Sequence, residues 1–437
     1  MADMSAPDDP QPPTSPAPQL EGRGARPRVP LSPRTRVVVA VVALAAVAAI
    51  VVLAATGVLG RSEAPSSPAA TTAPTPSAAA TGTTEPGTTD PATTEPPPPA
   101  LTATVAGSTV VATDLPVPWG VAALPDGTFL VTLRDAARLE IVDAEGGRTR
   151  VTGPGADEIA AQTASNGESG LLGLALSPSF AADGLVYVYR TGATDNAVLR
   201  AELDGATLGA TQVVIDGIPS ASFHDGGALA FGPDGHLYIG TGDATDPSTA
   251  LDVDSLGGKI LRVTADGEVP DDNPVPGSPV WTSGHRNVQG LGWDAQGRMY
   301  ASEFGQDTFD ELNQIVAGRS YGWPDVEGAG GADQGYTDPL VTWSTDDASP
   351  SGLAVTEEGV YVAALRGERL WRVDLVALER GEAEPEVVLD GEGRLRAVVV
   401  LSGGDLLVAT SDTDGRGDPA DDDDRLLRLR LNVAPLP

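Results

Sequence analysis

Two patterns of apolar residues divide this chain. Residues 37–59 form an unbroken run of Val, Ala, Leu, Ile, Thr and Gly without a charge. Beyond residue 107 the apolar residues come in short bursts instead. Each burst follows a turn built on Asp-Gly or a relative of it: Asp126-Gly127, Asp183-Gly184, Asp234-Gly235, Gln296-Gly297, Glu358-Gly359 and Gly403-Gly404. Such pairs favour tight hairpin turns, whose residues need positive φ. The runs after them (128–132, 185–189, 236–240, 298–301, 360–364 and 405–409) alternate or cluster apolar residues as strands do. Six hairpin-centred units spaced 45 to 62 residues apart predict an all-β fold, a six-bladed β-propeller. A pair of β-sandwiches is the alternative, and the regularity of the turns disfavours it. An early strand at 109–113 is expected to complete the blade that ends with 426–431. A short helical turn is expected near 374–380.

The run at 37–59 is long enough, at about 1.5 Å per residue, to cross a hydrocarbon core of roughly 30 Å. Arg23, Arg26, Arg28, Arg34 and Arg36 precede it and only Arg61 follows closely. That asymmetry predicts a single transmembrane helix, with the N-terminus in the cytoplasm and the propeller on the extracytoplasmic side of the cell membrane. The alternative is a cleaved signal peptide and a secreted protein. The run exceeds the usual signal core of about 7–15 residues, which favours the anchor. Residues 1–36 read as a disordered cytoplasmic tail, because they hold few large apolar groups. Residues 60–106 read as a disordered Pro/Thr-rich linker. Residues 107–437 are left for the propeller domain.

The 437-residue chain has no cysteine, so neither disulfides nor a lipidated cysteine can hold it. Its formal net charge is −34, and Lys259 is its one lysine. So acidic a surface argues against nucleic acid as a partner and suits calcium or neutral substrates.

Propellers bind ligands at the channel mouth with loops from several blades, so the candidates are sought across repeats. The chain has three histidines, His224, His236 and His285. His224 precedes Gly226 and Gly227, which would let the backbone pass close to a ligand. A histidine there can act as a general base, or simply as a surface hydrogen-bond donor. Asp243 ends the strand after the next turn and could orient that ring. Arg286, Arg366, Arg394 and Arg396 come from separate repeats or strand ends. Together they would suit an anion with several carboxylates. Glu303, Asp307, Asp310 and Glu311 form an acidic loop of the kind that binds Ca²⁺. The acidic segments 412–415 and 421–424 are read as solvated.

The motifs Pro118-Trp119-Gly120, Gly170-Leu171-Leu172-Gly173, His224-Asp225-Gly226-Gly227, Leu256-Gly257-Gly258-Lys259, Gly284-His285-Arg286-Asn287, Asp310-Glu311-Leu312-Asn313 and Tyr321-Gly322-Trp323-Pro324 occur in that order. As an ordered set they resemble the soluble glucose/aldose sugar dehydrogenases that use pyrroloquinoline quinone (PQQ), a family of six-bladed propellers. The resemblance implies His224 as general base, Asp243 as its support, and Arg286 and Asn287 on the quinone side of PQQ. It implies that Glu168, Arg366, Arg394 and Arg396 complete the cofactor site, with Arg366 standing where the family has a lysine. It implies a Ca²⁺ ion held by the backbone carbonyls of Gly305 and Gln306, and a second using Glu311 and the Tyr321 carbonyl. The implied reaction is oxidation of an aldose at its anomeric carbon to a lactone, with hydride transfer to PQQ and electrons leaving to an external acceptor. Phe304 stands where the family has His or Gln on the sugar side. The alternatives are a cell-surface propeller that binds carbohydrate or protein without catalysis, and a calcium-dependent lactonase.

Overall fold

The computed structural model describes residues 99–436. The expected tail, the expected helix at 37–59 and nearly all of the expected linker lie outside the described residues. Among the described residues no helix is long and apolar enough to cross a membrane.

Six antiparallel sheets carry the chain around a ring. Blade 1 consists of Pro118–Ala123, Phe129–Leu133, Arg138–Val142 and Arg148–Arg150; blade 2 begins with Leu171–Leu176 and Leu185–Thr191. Blade 3 begins with Gly226–Phe231 and Leu237–Thr241, and blade 4 with Val288–Trp293 and Met299–Glu303. Blade 5 begins with Pro350–Val355 and Gly359–Ala364, and blade 6 with Leu395–Val400 and Leu406–Thr410. Every turn singled out in the sequence joins the first two strands of a blade. Those six turns therefore share one face of the ring. The segments that enter each first strand, and the loops that leave each second strand, share the opposite face.

Blade 6 is closed by the first described strand. Leu101–Ala112 pairs antiparallel with Leu426–Pro435, with Val105 opposite Leu431 and Thr109 opposite Arg428. The strand begins at Leu101, so residues 101–106 belong to the propeller and not to the expected linker. Backbone pairing and a bonded neighbour hold them there: the Ala103 N–H and the Thr102 hydroxyl donate to Glu386 at 3.0 and 2.6 Å. The expected helical turn is Leu375–Arg380, capped by Asp374, whose carboxylate accepts from the Ala377 N–H.

The core is divided among the blade interfaces rather than gathered in one centre. Leu130, Leu171 and Val186 pack between blades 1 and 2. Tyr187, Val198, Leu237 and Ile239 pack between blades 2 and 3. The sixth cluster, with Leu115, Val131, Ala397 and Leu407, joins blade 6 back to blade 1. The first strands of neighbouring blades pack closely side by side. A Cβ on Gly173 would stand 1.9 Å from the Gly227 carbonyl oxygen.

Arg372, fully buried in blade 5, locks the closing strand. Its guanidinium donates to the Leu101 and Glu358 carbonyls and to the carboxylates of Glu386 and Asp374. Arg372→Met should destabilise the protein by about 3–5 kcal/mol, because it leaves Asp374 uncompensated in a buried site. Urea unfolding checks this, and a loss below about 1 kcal/mol would show that the latch is unimportant.

Candidate functional site

The face opposite the Asp-Gly turns gathers chemistry from five blades, 2 to 6. His224 enters the first strand of blade 3. Its φ of 61° is unusual for a residue with a side chain. The loop is held by Asp225, a buried carboxylate that accepts from the Ser169 hydroxyl, the Asn196 amide and the Ala221 N–H. Gly226 and Gly227 permit a close approach to neighbouring protein. A Cβ on Gly226 would stand 2.5 Å from the Thr241 backbone, and one on Gly227 2.9 Å from Leu172 Cβ. This crowding brings the loop against the strand end that carries Asp243.

His224 Nδ1 lies 2.8 Å from Asp243 Oδ1, and its Nε2 lies 2.8 Å from an Arg286 terminal nitrogen. An ionised carboxylate only accepts and a guanidinium only donates. The neutral ring therefore carries its proton on Nδ1 and turns the Nε2 lone pair outward. Asp243 is fully buried, and its other oxygen accepts from Trp323 Nε1 at 2.9 Å. Arg286 also donates to the Gln306 side chain and the Phe304 carbonyl, and lies 5.7 Å from the centre of the Trp323 ring. Burial lowers its pKa, against the pull of Asp243 and Glu168.

Beside this chain lies a cavity of about 380 Å³ lined by Glu168, Gln289, Phe304, Ser349, Leu365, Arg366, Arg394, Arg396 and Arg416. Glu168 touches both regions: one oxygen accepts from the His224 N–H and the other from Arg416. Arg394 and Arg396 flank the start of the first strand of blade 6 and are both buried. Asp414 binds them at 3.0 and 3.5 Å, and Gln289 accepts from Arg396 at 2.9 Å. Both Nε atoms are buried without a hydrogen-bond partner. Burial pushes the Arg396 guanidinium down to about 9. Arg366 reaches the same cavity but is exposed and pairs with Asp346.

Asn287 is buried, and its side-chain oxygen accepts from the Gly226 N–H, tying blade 3 to blade 4. His285, in the same motif, is wholly buried. It bonds Thr282 and Glu303 and stacks on Tyr321 at 4.7 Å. Glu303, Gly305, Glu311 and Tyr321 line a second, very small cavity of about 10 Å³ with Phe304. Burial, and then the charge of Glu303, push the Glu311 carboxyl up to about 8. Glu327 accepts from the N–H groups of Gln306, Asp307, Thr308 and Phe309 through one oxygen. The carbonyls of Gly305 and Gln306, on the far sides of the first two peptide planes, point away from Glu327.

The structure brings Asp243 to His224 as expected, sets Arg286 on the other side of that ring rather than with the other arginines, and gathers Arg366, Arg394 and Arg396 around one cavity. Sequence reasoning misses Arg416, Asp414, Gln289 as an arginine partner, and Trp323 as a support for Asp243. Arg416 is the sole basic residue of the acidic segment 411–424, which is its sequence signal. The acidic segments near the C-terminus are solvated only in part: Asp421 and Asp422 are exposed. Asp412 and Asp424 are buried, and burial pushes the Asp412 carboxyl up to about 6.

The sequence matches the family described as Glucose / Sorbosone dehydrogenase over residues 115–428. It is 30% identical over 280 residues to quinoprotein glucose dehydrogenase B of Acinetobacter calcoaceticus, covering 56% of each chain. It is 26% identical to an aldose sugar dehydrogenase of Escherichia coli, covering 66% of this chain and 89% of that one. Among solved structures, the PQQ-bound aldose sugar dehydrogenase of Streptomyces coelicolor superposes with a TM-score of 0.71 at 50% identity, over 77% of this chain and all of that one. With the six-bladed ring in agreement, this chain belongs to the glucose/sorbosone dehydrogenase family.

Proposed function

We propose that this protein is a PQQ- and Ca²⁺-dependent dehydrogenase that oxidises an aldose at its anomeric carbon to a lactone and passes the electrons to an external acceptor. The observation that carries this reading is the arginine-lined cavity. Arg394 and Arg396 present buried Nε donors with no partner among the described residues. Two buried cations held by the single carboxylate of Asp414, beside Arg366 and Arg416, leave positive charge for an anionic ligand. A tricarboxylate such as PQQ matches that donor set. A metal-only lactonase would have no use for it.

When bound, PQQ would supply the hydride acceptor and Ca²⁺ a Lewis acid beside it. Glu311, the Tyr321 carbonyl and the carbonyls of Gly305 and Gln306 offer the hard oxygen donors that Ca²⁺ takes. The rest of the chemistry falls to the chain. His224 Nε2 takes the proton of the anomeric hydroxyl, displacing Arg286 from that lone pair. Asp243, fixed by Trp323, holds the tautomer and stabilises the imidazolium that forms. Arg286, freed from His224 but still anchored by Gln306 and Phe304, is placed to stabilise developing negative charge. Phe304 and Leu365 give one wall of the cavity an apolar surface.

We further propose that residues 37–59 anchor the protein in the cell membrane with the propeller outside, on the strength of the charge asymmetry about that run. The anchored protein should stay in the membrane pellet after a carbonate wash; release into the supernatant would support cleavage and secretion instead.

Reconstituted with PQQ and Ca²⁺, the full chain should reduce an electron-accepting dye with at least one aldose. His224→Gln should lower kcat by about 10²–10⁴-fold while PQQ stays bound. Absence of PQQ binding by the parent protein, or its loss in His224→Gln, contradicts the assignment.

A pH effect follows from Glu311. Its folded-state pKa stands above the ordinary value of about 4.3, so it favours folding when protonated. That contribution is complete below about pH 4.3 and is lost as pH rises toward about 8. In EDTA, the parent protein should lose urea stability relative to Glu311→Gln between about pH 5 and 8. Parallel curves for the two proteins would show that Glu311 does not titrate in this window.

A further inference from the structure

The loop that leaves the second strand of blade 6 holds three carboxylates that the proposed chemistry does not use. Asp412, Asp423 and Asp424 each place one oxygen within 4.8 Å of the others. Asp412 is only 4% exposed and Asp424 is fully buried. The contacts of the three are unequal. Asp424 accepts from the backbone N–H groups of Asp412 and Thr413 and from the hydroxyls of Thr410 and Thr413. Asp423 accepts from Arg425, the Ala420 N–H and, at 3.5 Å, the Thr410 hydroxyl. Asp412 Oδ1 accepts from the Arg394 N–H, while its Oδ2 is buried and has no partner.

We propose that Asp412, Asp423 and Asp424 form a binding site for a hard divalent cation of the Ca²⁺ type, separate from the Gly305–Glu311 region. Three carboxylates meet here; Arg425, which bonds Asp423, is shared with Glu392, and the Arg394 charge near Asp412 is held by Asp414. A buried carboxylate oxygen with nothing to bind is costly. A cation removes that cost. The ligand type selects the ion: carboxylates and hydroxyls surround the point, with neither His nor Cys in the cluster, so Ca²⁺ fits better than Zn²⁺. Spacing agrees. Ca²⁺ binds oxygen at about 2.3–2.6 Å, so two of its ligands lie at most about 5.2 Å apart.

The site also has a consequence for its neighbours. Asp412 and Asp414 belong to one short helical turn, Asp412–Asp414. The first receives the Arg394 N–H and the second grips both guanidinium groups. A cation here fixes the turn that aims Arg394 and Arg396 into the cavity.

Ca²⁺ binding to the full chain, freed of metal with EDTA and kept without PQQ, tests the proposal by equilibrium dialysis. Asp412→Asn and Asp423→Asn should each bind one equivalent fewer than the parent protein. Glu311→Gln should leave the Asp412-dependent equivalent in place. Far-UV circular dichroism verifies folding, and Asp423→Asn decides the matter if Asp412→Asn does not fold. An unchanged number of equivalents in the folded aspartate variants overturns the site. Because PQQ is absent from the measurement, that failure would leave the cofactor assignment intact, and failure of the cofactor assignment would leave this result standing.

Discussion

Closure of the ring is the constraint on which everything else rests. Leu101–Ala112 is the outermost strand of a blade whose other three strands come from the far end of the domain. Pairing it with Leu426–Pro435 joins the two ends by backbone hydrogen bonds and hides a strand edge that would otherwise be exposed. It also seats the hydrophobic cluster between blades 6 and 1. In a chain without cysteine, that pairing does what a disulfide does elsewhere. Arg372 reinforces it from blade 5 by binding the Leu101 carbonyl and two acidic side chains at once.

Closure also explains why the site can store unbalanced charge. Each functional loop is pinned at both ends by a strand of a packed blade, so repulsive or unpartnered groups cannot relax by moving apart. Arg394 and Arg396 stay buried around a single aspartate, and Glu311 stays buried beside Glu303. Such groups cost stability in the empty protein. They become favourable contacts once an anion or a cation arrives. The same logic covers the unpartnered Asp412 oxygen on the opposite flank of the arginine pair.

The Asp243–His224–Arg286 chain shows how hydrogen-bond direction sets chemistry. A donor-only neighbour and an acceptor-only neighbour leave the imidazole one tautomer. Trp323 fixes Asp243, and Glu327 shapes the loop that holds Gln306 and Phe304, which in turn hold Arg286. The site is thus a set of supported supports: Trp323 of blade 4 reaches across to Asp243 of blade 3, while Glu327, Gln306 and Phe304 act within blade 4.

Much of the fold is legible in the sequence because it is local. Asp-Gly-type turns and period-two alternation act over a few residues, so the six hairpins, the blade count and the short helix at Leu375–Arg380 follow from the chain itself. So do the kinds of groups at the site: one loop histidine before two glycines, an aspartate at a strand end, and arginines in separate repeats. What tertiary structure alone decides is which of them meet. Glu168 and Arg416 lie 248 residues apart yet form an ion pair at 2.6 Å. His285 and Arg286 are neighbours in one motif, yet the His285 ring is held by Glu303 of blade 4 while the Arg286 guanidinium crosses to His224 of blade 3. Asp412 and Asp424 sit in a stretch as acidic as any solvated tail, yet the closed blade buries them. Composition fixes the charge of a side chain, but burial and partnership are set by distances across the ring, and those exist only after the last blade has paired with the first strand.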